Sequence, residues 1–235
     1  MRPKSKSFPR RSPAGGSARA KKREQEAFMK HLVTFVYAVL AGVAISIGGA
    51  AFLASDSRAV GAAMFSVGLF AVCTLGLNLF TGKVCYVFQN SPSYAADCGL
   101  IWLGNLAGAW ISGTALTWTR LDWAEKAGAI CQAKLEDSPG SVFILAVFCN
   151  ILIYLAVESY RENPHQLGKY LGLFLGVAVF VLAGFEHCVA NMFYFTVGSV
   201  WSPKALLYIL VMTAGNALGG VIFPLAKKLK EAYAA

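Results

Sequence analysis

Six stretches of this chain stay apolar for as long as a helix needs to cross a bilayer, and nothing else in it restricts the fold so strongly. Crossing a hydrocarbon core roughly 30 Å thick takes about 20 predominantly apolar residues in a helix. Such runs occupy 31–54, 59–80 (with an extension to about 89), 98–118, 141–157, 170–199 and 205–226. In lipid every backbone polar group must be satisfied internally, so runs of this length select helices. Composition points the same way. Only 14% of the 235 residues are charged, whereas soluble domains carry about a quarter, and the mean hydropathy is +0.56. The expected fold class is an all-α polytopic membrane protein with six transmembrane helices.

Charge is unevenly spread. Of the 21 Lys and Arg residues, 10 fall in residues 1–30, in runs such as "PKSKSFPRRSP" and "KKREQ". The net charge of +9 therefore does not describe a nucleic-acid-binding domain. Lys and Arg beside a first span keep that end cytoplasmic and attract anionic lipid. An even number of spans then puts both termini in the cytoplasm of a multi-pass cell-membrane protein. An inside N-terminus leaves 16 Lys and Arg inside and 5 outside, but only 6 against 5 without the tail, so the orientation rests on the tail. An Arg- and Ser-rich segment with no acid before Glu24 also has the composition of an organellar transit peptide, although a disordered tail is the preferred reading. The expected domains are a basic, disordered cytoplasmic tail (1–30), a six-helix transport domain (31–228) and a cytoplasmic end (229–235). The six cysteines, at 73, 85, 98, 131, 149 and 188, lack metal-ligand spacing and read as packing residues, with no metal or cofactor implied.

Two runs are interrupted by polar sequence. The second carries "GLNLFTGK" (76–83) and the fifth carries "GFEHCVANM" (184–192). A new span with a related motif follows each, "LGNLAGAW" (103–110) and "AGNALGGV" (214–221). Spans 1–3 and 4–6 thus read as two copies of one unit, and an odd number of spans per copy forces the copies into opposite orientations. Broken helices at matching positions of inverted repeats point to a transport site near the midplane. The Gly104/Gly108 and Gly215/Gly219 pairs read as close helix packing. Asn105 and Asn216 are placed to hydrogen-bond the broken segments.

These motifs together resemble the formate/nitrite transporter family. The likeness rests on "AGVAISIGGA" (41–50), "MFSVGLF" with "GLNLFTGK", "GNLAGA", "FCN" (148–150), "GFEHCVANM" and "GNALGG", in order across nearly the whole membrane part. The resemblance implies an aquaporin-like fold assembled as a homopentamer, with one pore in each protomer. Aquaporins themselves fit less well, because neither break carries Asn-Pro-Ala. It implies a pore loop at Leu79, Phe80 and Thr81, apolar constrictions at Phe65, Leu69 and Phe180, and a vestibule lysine at Lys134. Asn150 would be a polar residue beside the central site. His187 would be the central histidine, with Glu186 and Asn191 as neighbours. Asn78 stands where many members have Glu, Lys83 where many have Asn or Ser, and Cys188 where many have Ser. Formate, nitrite and hydrosulfide therefore remain alternatives.

The chemistry of such a path is constrained. Stripping water from a small monovalent anion costs several kcal/mol, and protonating the anion of a weak acid before the narrowest point avoids most of that cost. The partners expected are such an anion, protons and membrane lipid. A membrane-buried histidine is a functional candidate by default, and Glu186 is expected to be buried against backbone N–H groups or Asn side chains. Lys134 reads as a lysine of the vestibule or, without the resemblance, as a partner of Glu136 or Asp137. The expected function is pH-dependent passage of such anions, with His187 assisting protonation. The alternative is a neutral-solute channel for water, glycerol or ammonia. A membrane enzyme using Glu186 and His187 is disfavoured, because no HExxH or Ser/Asp constellation lies nearby.

Overall fold

The computed structural model describes the backbone of residues 14–233 and the side chains of 21–233, in a chain that divides into two units, 1–33 and 34–235. The described part of the first unit is helical. This differs from the disorder expected across 1–30. Residues 14–30 are rich in Ala, Lys, Arg, Glu and Gln, the strongest helix formers, and Lys22 pairs with Glu26 one turn on, at 3.9 Å. Residues 1–13 lie outside the described part.

The described residues of the second unit are helical between short connections. Helix α1 (Ala14–Ala54) is followed by α2 (Arg58–Thr74), the short α3 (Phe80–Lys83) and a 3-10 helix (Val84–Gln89). Then come α4 (Ser93–Thr117), α5 (Ala124–Glu136), α6 (Pro139–Glu162), α7 (Gln166–Ala183), α8 (Cys188–Val197) and α9 (Pro203–Tyr233). Each of the six apolar runs is thus occupied by one helix or by two helices separated by a break. By length and composition, Lys21–Ala54, α6, α7 and α9 can each cross a membrane alone, while α2 and α8 are shorter apolar helices.

Local chemistry sets the helix ends. Ser57 caps α2 by accepting from the Val60 N–H at 3.4 Å. Ser138 caps α6 by accepting from the Ser141 N–H at 3.2 Å, with Pro139 in the first turn. Gly76 and Gly184 adopt left-handed φ values of 64° and 78°, which glycine adopts without steric cost. Each turns the chain out of the preceding helix. The breaks are therefore shorter than the polar motifs, at residues 75–79 and 184–187.

Packing places α6 against α9 and α7, α2 against α7, and α4 against α8. The helices turn large apolar side chains such as Val67, Trp110, Ile144, Leu175 and Leu207 outward. Thr81, Asn105, Asn150, Glu186, His187, Asn191 and Asn216 are all buried. This distribution suits hydrocarbon outside and a satisfied polar interior.

Candidate functional site at the paired breaks

Two asparagines tie the breaks down in the same way. In the first break, Asn105 Oδ1 accepts from the Phe80 N–H at 2.8 Å. Its Nδ2 donates to the carbonyls of Ala38 (2.8 Å) and Asn78 (2.9 Å). In the second, Asn216 Oδ1 accepts from the Cys188 N–H at 2.9 Å. Its Nδ2 donates to the carbonyls of Ala146 and Glu186, both at 2.8 Å. The Asn78 N–H meets the Tyr37 carbonyl, and the Glu186 N–H meets the Leu145 carbonyl, at the corresponding places. Breaking a helix frees backbone groups that lipid cannot satisfy, and one buried amide side chain per break pairs two of them and anchors them to a carbonyl of a neighbouring helix.

At the centre the two breaks meet. Thr81 Oγ1 lies 3.0 Å from His187 Nε2, and both residues are buried. His187 caps α8, with its Nδ1 accepting from the Ala190 N–H at 3.1 Å. A neutral imidazole has one acceptor nitrogen, and Nδ1 is already used. The tautomer assigned by these partners carries its proton on Nε2, which donates to Thr81 Oγ1. The Thr81 carbonyl accepts from Asn150 Nδ2 (3.0 Å) and from the Cys85 thiol (3.1 Å). Asn150 Nδ2 also donates to the Asn216 carbonyl at 2.7 Å. Asn150 therefore links one break to the asparagine that holds the other.

Apolar side chains close both sides of this contact. The Phe180 ring stacks on His187 with centroids 5.7 Å apart, and Phe65 meets Phe180 edge-on at 5.8 Å. Phe65, Phe180 and His187 line a cavity of about 520 Å³, together with Arg58, Lys126, Lys134, Asn191 and Asp56. Leu69 and Leu79 line a second cavity, of about 620 Å³, with Lys83, Tyr86, Tyr94, Tyr160 and Arg161. Phe80 is buried but lines neither cavity. The start of α2 faces the first cavity and its end faces the second. The end of α7 faces the first, whereas the α6–α7 corner faces the second, so α2 and α7 run in opposite directions.

Lys134 does not stand free at the cavity wall. Its ammonium lies 2.6 and 2.8 Å from the two carboxylate oxygens of Glu186, with both side chains largely buried. Asn191 Nδ2 donates to the same carboxylate at 2.8 Å and to the His187 carbonyl at 3.0 Å. Glu186 thus has the Asn neighbour expected of it, together with a cation that sequence reasoning did not assign to it. Glu136 instead accepts from Gln132, and Asp137 from the Ser138 N–H and the Ser141 hydroxyl. Among the described residues no group of His, Cys, Asp and Glu could hold a metal ion.

An apolar helical scaffold in which two half-helices start at a shared buried contact, between two cavities, defines a multi-pass membrane channel or transporter. The comparisons specify it further. The family model described as Formate/nitrite transporter matches residues 17–227, and the chain belongs to that family. The uncharacterized transporter YrhG of Bacillus subtilis (strain 168) is 35% identical over 72% of this chain and 70% of its own length. The "Probable formate transporter" of Methanothermobacter thermautotrophicus is 32% identical over 80% and 84%. The formate channel FocA of Escherichia coli (strain K12) is 28% identical over 81% and 84%. Among solved structures, a pentameric formate channel with formate bound superposes with a TM-score of 0.74 at 25% identity, over 88% of this chain and 99% of that one.

Proposed function

We propose that this protein passes small monovalent anions of weak acids, of the formate, nitrite or hydrosulfide class, through a pore within each protomer. The observation that carries this reading is the 3.0 Å contact of Thr81 with His187, sealed on one side by Phe65 and Phe180 and on the other by Leu69 and Leu79. An anion reaching His187 from the first cavity exchanges the Thr81 partner for itself and takes the Nε2–H bond. A proton arriving from the first cavity, with the imidazole keeping its own Nε2–H, then converts the anion to the neutral acid, which crosses the dry segment at far lower cost than the ion. The starts of α3 and α8 face this point, and helix N-termini favour negative charge. Flux rises as pH falls, because the conjugate acid is the species that crosses.

The reading extends to the assembly and its orientation. The chain crosses the membrane six times, with α2–α3 and α7–α8 as broken crossings, and it assembles as a homopentamer in the cell membrane. The basic segment of residues 1–30 holds both termini in the cytoplasm. The second cavity is lined by Gln89 and Asn90, next in the chain to Phe88, whose carbonyl Lys228 near the end of α9 reaches at 3.3 Å, and it is then the cytoplasmic one.

Proteoliposome flux tests this. Wild-type protein should carry formate, nitrite or hydrosulfide with a rate that climbs toward acid pH. His187→Ala should abolish that flux or flatten its pH profile, and an unchanged profile would remove the histidine from the mechanism. Swelling in an uncharged polyol with no anion flux would establish the neutral-solute alternative instead.

A further inference from the structure

We infer that Lys83 anchors a second anion-binding site, in the cavity nearest the end of α9, which holds small monovalent anions against the Leu69–Leu79 barrier. The inference rests on the proposed anion passage and adds a site that loads it from one side.

The cavity of about 620 Å³ is lined by Lys83, Arg161 and the tyrosines 86, 94 and 160, and among the described residues no carboxylate lines it. Lys83 lies one helical turn from Leu79, since its N–H donates to the Leu79 carbonyl at 2.9 Å. The Tyr94 hydroxyl donates to the Lys83 carbonyl at 3.1 Å, and Asn150 holds the carbonyl of Thr81 two residues earlier. The backbone is thus pinned, and only the four-carbon stem of Lys83 is left to swing over the barrier.

Among the described residues, the Lys83 ammonium has neither a carboxylate nor a hydrogen-bond partner, unlike Lys134, whose charge is spent on Glu186. Glu158, behind Tyr86, is already engaged by the Tyr86 hydroxyl at 3.0 Å and by Lys227 at 3.4 Å. Arg161 lies over the Tyr86 ring, 4.9 Å from its centre, and supplies a second positive charge to the wall. The Tyr94 and Tyr86 hydroxyls are already donated to the Lys83 carbonyl and to Glu158, so the ammonium, with the Tyr160 hydroxyl on the same wall, is the group that suits an anion carrying one charge and oxygen or sulfur acceptors. It offsets part of the dehydration that the barrier demands. Lys83 is therefore the residue by which this chain sets its affinity for anion arriving from the α9-terminal side.

Right-side-out and inside-out vesicles containing the full chain test this with formate at rising concentration, none being present on the opposite side at the start. Lys83→Met should raise the half-saturating concentration about tenfold from the α9-terminal side, the loss of one charge-assisted contact. It should leave the value from the opposite side unaltered. Lys83→Arg should restore it, and Arg161→Gln should raise the same value two- to threefold, roughly the effect of a more distant charge. Arg161→Gln also carries the test if Lys83→Met fails to accumulate. Equal values for Lys83→Met and wild type from that side, or equal rises from both sides, would overturn the site. Wild-type vesicles that carry none of formate, nitrite and hydrosulfide would overturn the anion reading itself.

Discussion

Replacing Lys134 with Met should damage both folding and flux, and a second substitution should repair much of both. The pair is largely enclosed, with side-chain exposures of 16% for Lys134 and 5% for Glu186. Removing one partner of a buried pair costs about 3–5 kcal/mol, because it strands the other charge. Here the stranded charge is a carboxylate one residue from His187. A unit charge roughly 6 Å from a passing anion, at an effective dielectric of about 20, raises its energy by about 2.8 kcal/mol. That is about a hundredfold in flux at about 1.4 kcal/mol per tenfold. Glu186→Gln in the same chain removes that charge and keeps an oxygen for Asn191 Nδ2, which now donates to the carboxylate at 2.8 Å. Neutral replacement of a whole buried pair is often close to neutral in stability. The double variant should therefore lie within about 2 kcal/mol of wild type in stability. Its flux should recover to within about tenfold, since the repulsion is gone. Thermal unfolding in detergent and formate flux in proteoliposomes measure the two effects separately. A double variant no more stable and no faster than Lys134→Met would refute the claim that Lys134 serves chiefly to neutralise Glu186.

Asn216→Leu should cost at least about 2 kcal/mol, because it orphans the Cys188 N–H and the Glu186 carbonyl at roughly 1–3 kcal/mol each. Asn105→Leu should do the same at the first break, and folded yield by size-exclusion chromatography measures both. Gly219→Ala should be as damaging for a different reason, since a Cβ there overlaps the Val147 carbonyl of α6. Gly99→Ala meets nothing within 4 Å and should raise the melting temperature, consistent with a gain of up to about 1 kcal/mol in a helix.

Much of this arrangement was legible because its causes are local or repeated. Gly76 and Gly184 end their helices through their own backbone geometry, so polar motifs containing them mark the breaks. Asn105 and Asn216 stand in two related motifs, so a role found at one break extends to the other. The Lys134–Glu186 pair was not legible, because nothing in either segment signals that α5 packs beside the second break. Asp137 offered a nearer partner, yet it is taken up by the first turn of α6. The helix α5 itself was hidden for a related reason, since residues 119–138 lack the apolar length that marks a span. Apolar composition continues past Thr74, so hydropathy alone does not mark the end of α2, which backbone geometry sets.

The repeats share a frame but not a chemistry, and the difference explains why one centre serves the whole path. Matching hydrogen bonds within each break make Asn105 the counterpart of Asn216, Phe80 of Cys188, and Asn78 of Glu186. In that register Leu79 stands where His187 does, and Gly42 stands where Asn150 does. Gly42 packs so closely on Asn105 that a Cβ would overlap its carbonyl. At the matching place Asn150 donates to the Asn216 carbonyl and also reaches across to Thr81. Room for that reach comes from Gly220, where a Cβ would overlap Asn150 Nδ2. In the same register Val189 stands where Thr81 does, so one break supplies the imidazole and the other the hydroxyl. This chain sets one imidazole donor against one hydroxyl, with leucine and phenylalanine on either side. On the proposed function, this single hydrogen bond is the one a small anion replaces, in a passage otherwise dry enough to favour its neutral acid.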